Sequence, residues 1–161
     1  MGLDMYLKKS EYVSTWTSDP ERKTFMDATG VEVIVKRRFG KRKVLTDTFK
    51  VDNGSSGVEI KLPIAYWRKA NAIHNWFVQN YADGVDDCKP ITITMEDLVK
   101  LRQICKEILE DHSKAKKLLP TQDGFFFGST DYDEWYYKDL EYTVDALKNL
   151  DKGDYEYKAS W

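Results

Sequence analysis

Residues 58–81, VEIKLPIAYWRKANAIHNWFVQNY, contain the change of period that decides the fold. Val58 to Leu62 is a short β-compatible run, and beyond Pro63 the residues Tyr66, Ala70, Ile73, Phe77 and Tyr81 recur at helical spacing. The spacing predicts one helix over 64–81, closed by Asp83-Gly84. Upstream the period is two. Leu3, Met5 and Leu7 alternate with Asp4 and Tyr6, and Val31 to Val35 is β-branched, with Val44 to Val51 able to return across Phe39-Gly40-Lys41 as a hairpin. Residues 18–29 are polar, with Asp19-Pro20 and Thr29-Gly30 as turn signals, and read as a loop or short helix; DNGSSG at 52–57 is a turn cluster. Downstream, Ile91 to Ile93 is a brief strand. Thr94 then caps a helix with Leu98, Leu101, Cys105 and Ile108 on its apolar stripe, and Asp97 complements the helix dipole. A short turn through Ala115 to Leu119 stops at Pro120, and Gly124 to Gly128 reads as a glycine-bounded strand. Ser129 or Thr130 caps a third helix over 131–149 that buries Tyr136, Leu140, Val144 and Leu147, and alternating Tyr155, Tyr157 and Ala159 make a last strand. Strands followed by helices without regular βαβ alternation predict an α+β fold: a mainly antiparallel sheet packed by three long helices.

At 161 residues the expectation is a single globular domain, 1–161, and 42% apolar with 14% aromatic residues argues against intrinsic disorder. Lys plus Arg (25) against Asp plus Glu (27) gives a net charge of −2, which excludes a histone-like role driven by a global field. Two cysteines, Cys88 and Cys105, do not make a disulfide framework. Cys105 lies on a helix stripe as a small hydrophobe; Cys88 follows two aspartates, which disfavour a thiolate. No apolar run is long enough for a membrane span, and the start lacks the basic-then-apolar order of a signal peptide, so no membrane partner and a cytoplasmic location are expected.

The start MGLDMYL, the segment AYWRKANAIHNWFVQN (65–80), the loop DGVDDC (83–88), the stretch LLPTQDGFFFGSTDYDEWYYKDL (118–140) and the ending YEYKASW (155–161) together resemble a family of small proteins encoded by bacteriophages and prophages. Some members carry the label phosphoglycerate kinase, but that enzyme is far larger and two-domained, and none of its nucleotide or sugar-phosphate motifs occurs here. The resemblance implies an accessory protein acting in the host cytoplasm on a host pathway. Its expected action is counter-defence, such as anti-CRISPR inhibition, by contact with a host protein or by sequestering a nucleotide. No catalytic residue carries over.

Candidate chemistry has to be weighed against packing. Trp67, Arg68, Asn71, His74 and Trp76 fall within about three helical turns, and Trp67, Asn71 and His74 would share one face of the expected helix. Such a face could stack on a base while Arg68 pairs with phosphate; equally, the tryptophans are core residues and His74 makes one satisfied hydrogen bond. Ser129 and Thr130 at the expected helix start offer N–H groups and hydroxyls to an anion, although Asp131, Asp133 and Glu134 oppose one and capping accounts for the hydroxyls. The predicted ligand site is therefore where the 67–76 helix meets the start of the third helix. Trp67, Arg68, Asn71, His74, Ser129, Thr130 and Trp135 would hold an aromatic, phosphate-bearing small molecule there.

Other features point elsewhere more weakly. Asp83, Asp86 and Asp87 invite a hard cation but lack calcium-loop spacing, so no metal and no cofactor is expected. Arg37, Arg38, Lys41 and Arg42 flank the hairpin tip and offer a weak nucleic-acid contact, or simply protect a strand edge. No Gly-x-Ser-x-Gly elbow, P-loop or Cys-His arrangement at a recognised spacing is present, and His112 sits at a helix end where capping accounts for it. A binding protein is favoured over the alternative, a small metal-dependent phosphoesterase or nucleotide-processing enzyme.

Overall fold

Leu3, Met5 and Leu7 alternate with more exposed neighbours, and this period becomes the centre of a sheet. The computed structural model describes the backbone of residues 2–14, 31–39, 43–51 and 57–161 and the side chains of 2–10 and 61–161. Strand β1 (Asp4–Ser14) pairs antiparallel with the last strand in sequence, from Asp4 opposite Ser160 to Ser10 opposite Asp154. The chain divides into two compact units, Met1–Glu11 with Lys61–Trp161, and Tyr12–Ile60.

In the Tyr12–Ile60 unit, β2 (Val31–Phe39) and β3 (Lys43–Val51) form the expected antiparallel hairpin, with Val31 opposite Val51 and Phe39 opposite Lys43. The loop expected at 18–29, the hairpin tip at 40–42 and the turn residues 52–56 lie outside the described residues.

The larger sheet also contains β4 (Gly57–Arg68), β5 (Ile91–Ile93) and β6 (Asp154–Ser160), in the order β4-β1-β6-β5, and is antiparallel. Among the described residues four α-helices accompany it rather than three long ones: α1 (Asn71–Tyr81), α2 (Met95–Glu110), α3 (Ala115–Leu118) and α4 (Glu134–Ala146), of 11, 16, 4 and 13 residues. The α+β class stands.

The expected helix over 64–81 is shorter because the strand continues to Arg68. Ala65 and Trp67 are buried between exposed Tyr66 and Arg68, a period of two that outweighs the helical spacing of Tyr66 and Ala70. The Lys69 N–H still donates to the Leu3 carbonyl at 2.8 Å, extending the pairing with the N-terminal segment by one residue. Lys69 then adopts φ 61°, a left-handed conformation that ends the strand, and α1 begins two residues later.

Gly124 to Gly128 is a turn and not a strand. Phe127 N–H bonds back to the Gly124 carbonyl at 3.1 Å, and a Cβ on Gly124 would lie 2.6 Å from the Phe127 ring. The third long helix starts at Glu134 instead of 131, because Asp133 caps it through Oδ1, which accepts from the N–H groups of Trp135 and Tyr136 at 3.0 Å each.

The end of α1 at Tyr81 and the start of α2 agree with the sequence reading, whereas α4 ends at Ala146 instead of 149, where Leu147 leaves the helical conformation, and Val144 is only partly buried. Thr94 caps α2 by accepting from Asp97 N–H, and the α2 stripe of Leu98, Leu101, Cys105 and Ile108 is buried. These side chains join Leu3, Met5, Leu7, Trp67, Phe77, Leu140 and Tyr157 in one core, in which Phe77 and Tyr157 stack with ring centroids 3.9 Å apart. Buried polar atoms there are satisfied. Trp67 Nε1 donates to Thr143 Oγ1 at 2.9 Å, and that hydroxyl donates to the Asp139 carbonyl at 2.6 Å. Burial pushes the Cys105 thiol up to about 12, so it is unreactive.

Leu101 is fully buried whereas Val99, two residues earlier on α2, is 50% exposed. Leu101→Ala is therefore expected to lose about 2–5 kcal/mol in urea unfolding, and Val99→Ala to stay within about 0.5 kcal/mol of wild type. Equal losses would contradict this packing.

Candidate functional site

The break between β4 and α1 places Asn71 at the start of a helix with its side chain buried, where a carboxamide must find partners for both ends. Asn71 Nδ2 donates to the carbonyls of Phe127 at 3.1 Å and Ser129 at 2.7 Å, and its Oδ1 accepts from the Gln122 N–H at 3.1 Å. One side chain thus holds the turn after Pro120 against the first residue of α1. Gly128 completes the close approach: its φ is 89°, and a Cβ there would come within 3.2 Å of the Lys69 Cβ.

Between this clamp and the first turns of α4 lies an open groove of about 380 Å³. Arg68, Lys69 and Asn71 line it from the strand–helix break, Ser129 from the turn, and Asp133, Trp135 and Asp139 from the cap and face of α4. Trp135 is 72% exposed, and Lys138 Nζ stands 4.8 Å over its ring. Trp135 and Asp139 are four residues apart and so share one helix face.

The charges around the groove divide into spent and free. Asp133 is occupied in capping α4, and Asp131 Oδ2 accepts from the Ser129 hydroxyl at 3.0 Å. Arg68 is exposed, with Nε 4.0 Å from Asp4 Oδ1, and among the described residues the Lys69 ammonium has no ion-pair partner. The Asp139 carboxylate likewise has none. Burial, with a contribution from the Asp133 charge, pushes Asp139 up to about 6.

The seven residues singled out from the sequence fall into three places. Arg68, Asn71, Ser129 and Trp135 line the groove, close to where the sequence put the site. Thr130 is exposed and is tied to the same turn through its carbonyl, which accepts from the Thr121 hydroxyl at 2.8 Å. Neither Ser129 nor Thr130 caps α4, because the Ser129 hydroxyl also accepts the Asp131 N–H in a local turn and Asp133 has taken the helix N–H groups. Trp67 and His74 do not share a face with Asn71 towards a ligand: Trp67 belongs to β4 and is a core residue, and His74 is 1% exposed. Lys69 and Asp139 were not singled out; the i,i+4 relation of Asp139 to Trp135 was the available signal.

His74 anchors a second network. Its Nδ1 lies 2.7 Å from the Tyr157 hydroxyl and its Nε2 2.9 Å from Asp86 Oδ2, while Asp86 Oδ1 accepts from Trp161 Nε1 at 3.2 Å. Both ring nitrogens are used, so the loop that holds Asp86 is fastened to the core. A cavity of about 370 Å³ lined by His74, Asp86, Cys88 and Tyr157 opens beside it. Asp87 is held below the usual carboxylate range by hydrogen bonds from Lys89. Among the described residues no group of three His, Cys, Asp or Glu side chains could hold a metal ion. His112 stacks on Tyr137 at 3.9 Å. Arg37 and Arg38 lie in β2, but their side chains, and all of Lys41 and Arg42, are outside the described residues. No helix among the described residues is long and apolar enough to cross a membrane.

Compared with known proteins, the chain matches no family model, no curated protein and no solved structure.

Two outcomes follow from the groove's construction. Asn71→Ala strands two carbonyls and an N–H, and is expected to cost at least roughly 1–3 kcal/mol. Asn71→Asp should be no better, since its carboxylate faces two carbonyl oxygens; a fully stable Asp variant in thermal unfolding would contradict the clamp. Asp139 has a folded pKa above its unfolded value, so the folded state binds the extra proton and stability falls as pH rises from 3.8 towards about 6. Asp139→Asn should therefore raise the melting temperature at neutral pH relative to wild type, and the gain should vanish at pH below the unfolded carboxylate range. An equal gain at both would show that desolvation of the charge is not its origin.

Proposed function

We propose that this protein is a non-catalytic binding module of bacteriophage origin, which captures an aromatic, phosphate-bearing small molecule of the host in the groove between the β4–α1 break and α4. The observation that carries the reading is the juxtaposition of a solvent-exposed indole, Trp135, with two basic side chains, Arg68 and Lys69, around one cavity. An exposed tryptophan offers a stacking platform for a planar ring. Arg68 and Lys69 supply charge for a phosphate, Arg68 through its planar fork.

The anion would sit at the strand–helix break and not at the α4 N-terminus, where Asp133 already holds the free N–H groups. Interference with a host pathway, including a counter-defence role such as anti-CRISPR inhibition, rests on the resemblance to phage proteins. Sequestration is favoured over transformation because the groove's lining holds no histidine or cysteine, and the Ser129 hydroxyl, which has the Asp131 carboxylate beside it, is tied into a local turn by accepting the Asp131 N–H. Contact with a host protein is the second reading. It draws on Phe125, 95% exposed at the turn beside the groove.

Isothermal titration of the purified protein with nucleoside monophosphates is expected to show saturable binding with the ligand recovered unchanged. Arg68→Ala combined with Lys69→Ala should weaken it by about tenfold or more and flatten its salt dependence. Trp135→Ala should weaken it without lowering the melting temperature. Multiple-turnover conversion of the ligand would replace this reading with the enzymatic one, and the absence of any nucleotide binding would overturn it.

A further inference from the structure

The groove contains a half-buried carboxylate, Asp139, one helical turn beyond Trp135, with no ion-pair or side-chain hydrogen-bond partner among the described residues. Resting on the reading that the groove takes a phosphate-bearing aromatic molecule, we propose that the ring is guanine, with the Asp139 carboxylate accepting its two adjacent N–H groups while Trp135 stacks on its face.

An ionised carboxylate accepts hydrogen bonds only, through two oxygens that match a pair of parallel N–H donors. Trp135 and Asp139 project from one face of α4 a single turn apart, so a ring lying on the indole brings its edge to the carboxylate. Guanine presents two neighbouring N–H donors on that edge, N1–H and the 2-amino group. Hypoxanthine presents one. Adenine offers an amino group beside a ring nitrogen that is itself an acceptor, which would face a carboxylate oxygen unfavourably.

A guanidinium would also present paired N–H groups; Arg68 and Lys69 at the strand–helix break oppose its charge while Asp131 and Asp133 favour it, so arginine amide is the direct competitor in the test. A neutral ring bearing a negative tail meets both requirements: donors towards Asp139 and an anion towards Arg68 and Lys69. Asp131 and Asp133 do not compete for the ring edge, since their oxygens bond to Ser129 and to the α4 N–H groups.

The raised pKa of Asp139 fits a carboxylate waiting for donors. The titratable groups that share the groove with it are Arg68, Lys69, Asp131, Asp133 and Tyr136, and burial raises the Tyr136 phenol well above neutrality. Burial carries the Asp139 carboxyl up to about 6, into the mildly acidic range. Guanine binding should weaken as pH falls through about 6, because protonation removes one of the two acceptor positions.

The test is titration of the full chain with GMP, IMP, AMP and arginine amide near neutral pH, repeated on Asp139→Asn. GMP is expected to bind about tenfold or more tightly than AMP, with IMP between them. In Asp139→Asn the preference should collapse, with GMP falling to the AMP level while AMP is nearly unchanged. The wild-type series alone decides the base even if the variant is poorly folded. Equal affinities for GMP and AMP would overturn the guanine assignment and leave the nucleotide-binding reading standing. Arginine amide binding more tightly than GMP, or no binding by any of the four, would overturn both.

Discussion

A single buried carboxamide, Asn71, shapes the groove on which the proposed function depends. Asn71 sits where an edge strand ends and a helix begins, and its amide bonds to two carbonyls and an N–H of the turn after Pro120, which the Leu3 N–H also holds through the Phe126 carbonyl. The turn gains the hydrogen bonds that a strand would have supplied, without becoming one. Its position against Lys69 leaves a groove instead of a filled interface with α4. The left-handed conformations of Lys69 and Gly128 belong to the same construction, since both chains must turn sharply where they meet.

Electrostatics then separate what the fold consumes from what it leaves for a guest. Asp133 and Asp131 look from the sequence like obstacles to an anion, yet both are engaged within two or three residues of themselves. Their bonds fix the entry to α4. Asp139 differs because its carboxylate stands one helical turn further in, away from the free N–H groups, where desolvation acts on it and no donor among the described residues compensates. A fold that retains an uncompensated carboxylate beside an exposed indole gives up some stability at neutral pH, which is a common property of sites kept for binding.

Much of the fold was legible in the sequence because its periods were unambiguous. The α2 stripe and the Thr94 cap agree residue by residue with the structure, as do the alternations that make β1 and β6. Where two periods overlapped, the sequence was misleading. Ala65-Tyr66-Trp67-Arg68 satisfies both a strand and a helix, and only the pairing with the segment around Leu3, remote in sequence, selects the strand. A local effect moved the cap of α4 from Ser129 or Thr130 to Asp133: the Ser129 hydroxyl is committed to its own turn with Asp131, and Asp133 accepts the first N–H groups of the helix. Of the seven residues expected at a ligand site, Arg68, Asn71, Ser129 and Trp135 line one groove, whereas the aromatic and polar character of Trp67 and His74 serves the core and the Asp86 loop. Asp139 carried no motif; its significance comes from burial, which one chain read as letters does not display.

The most direct test of the central claim, that the groove beside Asn71 is the place where this protein recognises its ligand, is a two-dimensional amide and indole NMR titration with GMP. The account predicts shifts concentrated at Lys69, Gly128, Ser129, Asp139 and the Trp135 indole, with the Trp67 indole and the amides around His74 unmoved. Shifts centred on the cavity beside His74 and Cys88, or scattered without focus, would contradict it.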